Sequence, residues 1–170
     1  ETLGELWTRH IADSLQILPL LRPNDSCLLD LGSGGGFPAL PLAIALKGRD
    51  CRFVLVEPNS RKASFLRAVA RELRLVVTVE GRRSEEVDPA EIGSVDVISS
   101  RALAPLKELC ELMAPFFGRQ TRAILHKGRE HVEELAESAA VWHHDVVTIR
   151  SVTDAGGVLL ELTNLSWKNK

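Results

Sequence analysis

The sequence has 170 residues, of which 45% are hydrophobic and 26% are charged. This composition is that of one folded domain, and it excludes a chain that is mainly disordered. Because the formal net charge is −2, the overall charge of the protein does not attract a polyanion, and a nucleic acid would have to bind to a local basic patch.

The periodicity of apolar residues predicts alternating helices and strands. Residues 1–21 have helical spacing at Leu6, Ile11, Leu15 and Leu18, and a turn at 22–25 ends the pattern. Two β–α units follow, a strand at 26–31 with a helix at 39–46 and a strand at 52–57 with a helix at 60–75. Further strands are predicted at 76–79, 95–99 and 123–125. Two apolar stripes predict the helices between and after them, Leu106, Leu109, Cys110 and Met113, then Val132, Leu135, Ala136 and Ala139.

The last part of the chain has a different pattern. Strand-like runs at 145–152 and 158–165 flank a Gly156-Gly157 turn, which predicts a terminal antiparallel hairpin. The β–α alternation before it predicts a parallel sheet with helices on both faces and ligands at the carboxyl ends of the strands. We expect a single α/β domain over residues 1–170, with residues 1–22 packed on it as an N-terminal helical segment.

The most informative segment is the glycine-rich loop between the first predicted strand and its helix. Gly32, Gly34 and Gly36 let the main chain turn sharply and approach a ligand at a helix N-terminus. The dinucleotide pattern GxGxxG would need glycine at the position of Phe37. Asp30, just before the loop, would also repel the pyrophosphate of a dinucleotide.

A cationic cofactor suits this loop better. S-adenosylmethionine carries a sulfonium and an ammonium group, and Glu57 at the end of the second strand is placed to accept both ribose hydroxyls. The alternative is that the glycines only permit a tight turn and that Glu57 is a solvated strand terminus. The competing enzyme class is an NAD-dependent oxidoreductase, which would bind NAD and not adenosylmethionine.

Missing features constrain the methyl acceptor. Methyltransferases of exocyclic base amines commonly carry Pro-Pro-Tyr or Pro-Pro-Phe after the fourth strand, but this sequence has no Tyr and reads Ser-Ser-Arg-Ala at 99–102. Methylation of cytosine C5 needs a thiolate, and none of the three cysteines is well placed. Guanine N7 loses no proton on methylation, so it needs positioning rather than a general base. The sequence is compatible with N7 chemistry, while oxygen and carboxylate acceptors stay open.

Five segments stand in a distinctive order and spacing over nearly the whole chain. They are Arg9-His10-Ile11-Ala12-Asp13-Ser14-Leu15, the loop from Asp30 to Pro38, Arg61-Lys62 with Phe65-Leu66-Arg67, Ser99-Ser100-Arg101-Ala102, and Lys127-Gly128. Together they resemble the small-subunit (16S) ribosomal RNA guanine-N7 methyltransferase family, also called glucose-inhibited division protein B. The first and fourth segments are more specific than the glycine loop, which many unrelated enzymes share.

The resemblance implies a Rossmann-like class I fold with a mostly parallel seven-stranded sheet. It also implies an enzyme that methylates N7 of one guanine in small-subunit ribosomal RNA, either as free RNA or in the assembling particle. It implies S-adenosylmethionine as cofactor and Arg101 as the catalytic, positioning residue. The implied cofactor-binding residues are Gly32, Gly34, Gly36, Phe37, Glu57, Ser84, Glu85 and Arg101. Two features depart from the family: Ser99 replaces its usual Ile, and its additional N-terminal helical segment is absent. The second departure keeps a non-catalytic RNA-binding protein as an alternative.

Basic residues indicate where RNA would approach. The candidates are Arg9, His10, Arg67, Arg71, Arg74 and Lys127. Three of these arginines share one face of the predicted 60–75 helix, whose alternative role is a solvated face paired with Glu72. Arg9 and His10 form with Asp13 either a substrate-orienting group or a structural hydrogen-bond cluster. Arg101 is either a functional cation or a surface residue.

The remaining features concern location and assembly. Cys27, Cys51 and Cys110 are too scattered for a disulfide framework, which predicts a reducing cytoplasm. The uncharged stretch at 31–46 is interrupted by Gly and Pro and is too short to span a membrane. We expect a monomer that does not bind a membrane. We also expect no metal site, because His143 and His144 point to opposite faces of a strand and have no third ligand.

Overall fold

The computed structural model describes Gly4 and residues 7–168. Its N-terminal segment is a π-helical stretch, Trp7–Ala12, followed by the helical turn α1, Asp13–Leu15, and a 3₁₀ turn, Leu18–Leu20. Over the described residues, the single regular helix predicted for 1–21 is therefore wrong: the segment starts as a π-helix, and Pro19 prevents an α-helix at its end. Leu6, part of the predicted stripe, lies outside the described residues, and Ile17 is a fully buried apolar side chain of the segment.

Seven strands and five further helices follow in β–α order. The strands are β1 (Cys27–Leu31), β2 (Arg52–Val56), β3 (Val77–Glu80), β4 (Val97–Arg101), β5 (Arg122–Lys127), β6 (Trp142–Arg150) and β7 (Val158–Trp167). The helices are α2 (Ala39–Ala45), α3 (Ser60–Glu72), α4 (Pro89–Ile92), α5 (Leu106–Met113) and α6 (His131–Ala139).

The strands form one sheet in the order β3-β2-β1-β4-β5-β7-β6. The first five in this order are parallel, β7 is antiparallel to β5, and β6 is antiparallel to β7. The strand order reverses direction at β1, whose neighbours are β2 and β4. Ligands of open α/β sheets bind at such a switch point, outside the carboxyl ends of the strands.

Two clusters of buried apolar side chains cover the two faces of the sheet. One contains Leu29, Leu31 and the apolar stripe of α5, and the other contains Leu28, α2 and Leu66 of α3. Residues of β1 alternate between the clusters, as the period-two geometry of a strand requires. The strand is buried along its whole length, which explains its near-continuous apolar sequence.

Three local predictions are corrected. Helix α3 ends at Glu72, and Arg74 has φ of 51° beyond it, so Arg74 does not share a helix face with Arg67 and Arg71. Of the apolar stripe predicted for α6, Leu135 packs against the core, whereas Val132 is 62% exposed and Ser138 is buried, because the inner face of α6 also makes polar contacts. The hairpin turn is longer than Gly156-Gly157 and covers 151–157, closed by a hydrogen bond from Ser151 N to Gly157 O of 3.0 Å.

Candidate functional site

The glycine loop leaves the carboxyl end of β1 and is fixed by main-chain hydrogen bonds. The amides of Gly32 and Ser33 both donate to Val56 O of the neighbouring strand, each at 3.0 Å. Gly36 has φ of 94°, and a Cβ there would overlap the side chain of Leu40. The loop conformation therefore requires glycine at this position.

Glu57 joins the loop to the next helix. Its carboxylate is 5% exposed, accepting a hydrogen bond from Gly34 N at 2.7 Å and another from Asn59 N at 2.8 Å. Asn59 in turn caps α3 by accepting from the amides of Arg61 and Lys62. The predicted ribose-binding carboxylate thus lies directly beside the glycine loop, and each oxygen has a second lone pair for a further donor.

Asp30 lies beneath the loop and is fully buried. One carboxylate oxygen accepts from Ser99 Oγ at 2.6 Å, while the other, Oδ2, has no hydrogen-bond partner among the described residues. Burial raises the pKa of Asp30 to about 6, and the hydrogen bond from Ser99 opposes that rise. A buried carboxyl group with an unused oxygen favours a cationic ligand nearby.

Arg101, the last residue of β4, contacts the N-terminal segment. Its Nη1 donates to Arg9 O at 3.0 Å and lies 3.3 Å from Asp13 Oδ2, while its Nη2 lies 2.7 Å from His10 Nδ1. The guanidinium also lies 5.4 Å from the centre of the Phe37 ring. The structure therefore brings His10, Phe37 and Arg101 together beside the loop, with the main-chain oxygen of Arg9.

The hub of this cluster is Asp13, whose importance the sequence only hinted at. Its Oδ1 accepts from Thr153 Oγ1 at 2.6 Å and from Gln16 Nε2 at 2.8 Å. His126 Nε2 lies 3.0 Å from the main-chain oxygen of Asp13, and burial lowers the pKa of this imidazole. The helical spacing of Arg9, His10 and Asp13 indicates that these residues lie together. It does not predict their partners on β4, β5 and the hairpin.

A cavity of about 400 Å³ opens at the carboxyl ends of β4 and β5. Its walls are the segment after Arg101, the end of β5 and the hairpin loop. The charged side chains around it are largely engaged: Lys127 Nζ lies 2.6 Å from Glu134 Oε2 and donates to Ala104 O at 2.8 Å. Lys127, predicted to bind RNA, is therefore mostly buried in an internal ion pair.

Other predicted residues lie farther from this cluster. Ser84 and Glu85 form a 3₁₀ turn after β3, where Ser84 is half-buried and Glu85 is exposed. Arg67 donates to Val79 O at 2.8 Å, whereas Arg71 lies in the last turn of α3. Because α3 returns antiparallel to β2, Arg71 and Arg74 lie toward the opposite edge of the sheet from the loop. Their contact with RNA stays a prediction.

The described part of the chain contains neither a metal-binding cluster nor a helix that could span a membrane. Within Gly4 and residues 7–168, no group of three or more His, Cys, Asp or Glu side chains has the geometry to hold a metal ion. Over the same residues, no helix has the length and apolarity needed to cross a bilayer. His144, considered for a metal, instead contacts Ser138 Oγ at 3.1 Å.

Comparison with known proteins gives the family. The model of the family described as "GidB: rRNA small subunit methyltransferase G" matches residues 1–162. The chain belongs to this family. Proteins named ribosomal RNA small subunit methyltransferase G are similar to it over most of its length. The one from Bartonella tribocorum is 42% identical, covering 96% of this chain and 76% of the relative, and the one from Sinorhizobium medicae is 43% identical, covering 99% and 80%.

Solved structures confirm the predicted fold class of this family member. An S-adenosylmethionine-dependent methyltransferase from Aquifex aeolicus has a TM-score of 0.69 at 13% identity, covering 93% of this chain and 92% of that one. An RNA methyltransferase from Salinibacter ruber, solved with S-adenosyl-L-homocysteine, has a TM-score of 0.60 at 21% identity, covering 89% and 87%. The protein therefore has the α/β fold of adenosylmethionine-dependent methyltransferases, with the expected terminal antiparallel hairpin.

Proposed function

We propose that this protein transfers a methyl group from S-adenosylmethionine to N7 of a guanine in small-subunit ribosomal RNA. The observation that carries the proposal is membership of the rRNA small subunit methyltransferase G family over nearly the whole chain. The glycine loop, Asp30 and Glu57 support it, since they form one acidic, glycine-lined edge at the switch point of the sheet.

The residues at this edge fit the cofactor. S-adenosylmethionine supplies, when bound, a methyl group activated by a positively charged sulfonium. Gly32 and Gly36 allow the close packing of the loop against Leu103 and Leu40, Gly34 has no close neighbour on its side-chain position, and Glu57 offers carboxylate lone pairs to ribose hydroxyls. The buried Asp30 carboxyl adds negative charge beneath the loop, which favours a cation. Phe37, Ser84, Glu85 and Arg101 complete the proposed cofactor-binding set.

The cavity beside Arg101 is the proposed place of the acceptor base. Bound S-adenosylmethionine would supply the methyl group, and guanine N7 would accept it on its ring-plane lone pair without losing a proton. The residues there need only position the base, which suits a cavity whose basic groups Arg101 and Lys127 are paired with Asp13 and Glu134. Burial raises the pKa of Cys27 and of Cys110 to about 11, so neither supplies the thiolate that cytosine C5 chemistry needs.

The proposal includes an RNA partner, a place of action and an assembly state. Ribosomal RNA approaches from the carboxyl edge of the sheet, where Arg9 and His10 lie, and the protein acts in the cytoplasm as a monomer. Arg67 would contact phosphates farther from the cavity, and Arg71 and Arg74 would do so only for RNA that extends to the opposite edge of the sheet. Light scattering checks the monomer, and the salt dependence of RNA affinity counts the phosphate contacts.

The test is N7 methylation of purified ribosomal RNA and of small subunits. The protein, adenosylmethionine and each RNA substrate are incubated, and guanine-N7-specific chain cleavage then maps the modified position. We expect cleavage at one guanine with the parent protein and none with the Glu57→Ala variant. Methyl incorporation without N7 cleavage would overturn the acceptor atom, and binding of NAD in place of adenosylmethionine would overturn the enzyme class.

A further inference from the structure

We infer that Asp13 is a positioning residue that holds Arg101 beside Phe37 and offsets its positive charge, so that the site accepts a cationic cofactor. This inference rests on the cofactor of the proposed function but not on the identity of the methyl acceptor. It assigns to the N-terminal segment an electrostatic role in the site, in addition to its packing.

The two oxygens of Asp13 have separate partners. Oδ2 lies 3.3 Å from Arg101 Nη1 and 3.6 Å from His126 Nε2, and the side chains of Asp13 and Arg101 are only 16% and 21% exposed. Oδ1 instead accepts from Thr153 and Gln16, which anchor the N-terminal segment to the hairpin loop. One carboxylate oxygen therefore forms the ion pair with Arg101, and the other accepts the hydrogen bonds that anchor the N-terminal segment. Different substitutions can remove the ion pair and the hydrogen bond from Thr153 separately.

The charge of Arg101 reaches both sides of the site. It opposes the rise in the pKa of Asp30 beneath the glycine loop, and it contributes to lowering the pKa of His126 on the side of the cavity. A guanidinium with this reach would repel a sulfonium cation if nothing offset it. Asp13 supplies the offsetting charge at 3.3 Å.

The inference predicts a change in selectivity between two ligands that differ in charge. S-adenosylmethionine carries the sulfonium, whereas S-adenosylhomocysteine has a neutral thioether in its place. Loss of the Asp13 charge should therefore penalise adenosylmethionine more than adenosylhomocysteine. A residue that merely supports the fold would affect both ligands equally.

The experiment measures both dissociation constants by calorimetry on the full chain. Asp13→Asn keeps the shape of the side chain and removes its charge. We expect it to weaken adenosylmethionine binding about tenfold and adenosylhomocysteine binding about twofold, a roughly fivefold change in their ratio. In an Arg101→Met background, the Asp13→Asn substitution should leave the ratio unchanged, because no guanidinium then needs offsetting.

Thr153→Val is the matched control, because it removes a partner of Oδ1 and leaves Oδ2 beside Arg101. It should keep the parent ratio. Asp13→Glu, which keeps the charge, should keep the ratio as well, and it tests the charge if the amide variant does not fold.

Three results would overturn the inference: an equal loss of both ligands in Asp13→Asn, the same ratio change without Arg101, or a ratio change in Thr153→Val. If the parent binds adenosylmethionine but does not methylate ribosomal RNA, the proposed function fails while the ratio still decides the role of Asp13. A parent that does not bind adenosylmethionine overturns both.

Discussion

The two halves of the site are held by different kinds of interaction. On the cofactor side, main-chain amides fix the glycine loop against β2, and the Glu57 carboxylate ties the loop to the start of α3. On the Arg101 side, charged side chains connect segments that lie 88 to 140 positions apart in the sequence. The first half depends on backbone conformation, and the second depends on charge balance. Substitutions should therefore damage the two halves in different ways.

The largest effect is expected at Gly36. Alanine there has to adopt φ of 94° and would overlap Leu40, which costs about 4 kcal/mol of stability and disrupts the loop. Gly48 is the control, since it has φ of 95° but no described atom lies within 4 Å of the position that an added methyl group would take. Gly48→Ala should cost only the strain, about 1–2 kcal/mol, and should keep adenosylmethionine affinity. Denaturant unfolding and calorimetry measure both variants, and equal losses in the two would refute the steric argument.

The next effect concerns pH. Because burial raises the folded pKa of Asp30 above its ordinary 3.8 to about 6, the folded state binds the extra proton between these values. Stability should therefore fall as the pH rises from about 4 to about 6, by up to about 3 kcal/mol. Asp30→Asn should flatten this dependence and unfold at higher denaturant concentration than the parent at neutral pH. An unchanged pH profile in the variant would show that folding does not raise the pKa of Asp30.

The third effect concerns the carboxylate that ties the loop. Glu57→Ala removes the acceptor of the Gly34 and Asn59 amides and the proposed ribose contacts, so adenosylmethionine affinity should fall about 100-fold. Glu57→Gln, which retains one acceptor oxygen, should lose about tenfold. Glu72→Ala, an exposed carboxylate at the end of α3, is the control and should bind normally. If the adenosylmethionine affinities of all three variants lie within a factor of about two of the parent's by calorimetry, Glu57 is not part of the cofactor site.

The smallest effect concerns the other half. Lys127→Met leaves Glu134 without its mostly buried partner, so stability should fall by about 2 kcal/mol. Because Lys127 is held internally, the salt dependence of RNA binding should not change. If the slope of affinity against salt instead falls by about one, Lys127 contacts a phosphate, as the sequence predicts.

The same contrast explains what sequence could predict. The glycine loop, Asp30 and Glu57 lie within 28 positions of one another in successive β–α elements, so pattern and spacing located them. Asp13 reached its partners Thr153 and His126 only through the tertiary fold, and no spacing rule connects those positions. Most of the α6 stripe failed for a related reason, because Glu134 and Ser138 face inward to meet Lys127 and Cys110 beside Leu135. Apolar periodicity cannot anticipate a polar inner face.

The hydrogen bond between Asp13 and Thr153 also sets an order of events during synthesis. The two residues are separated by 140 positions. At about 5–20 residues per second, the ribosome produces the second roughly 7 to 28 seconds after the first. Until then the N-terminal segment cannot form its hydrogen bond with the hairpin loop, and β5 cannot pair with its neighbour β7. A nascent chain can thus form the glycine loop, and the contact between Asp13 and Arg101, before Thr153 exists. The hydrogen bond that fastens the N-terminal segment to the hairpin loop forms only late in the synthesis of the domain.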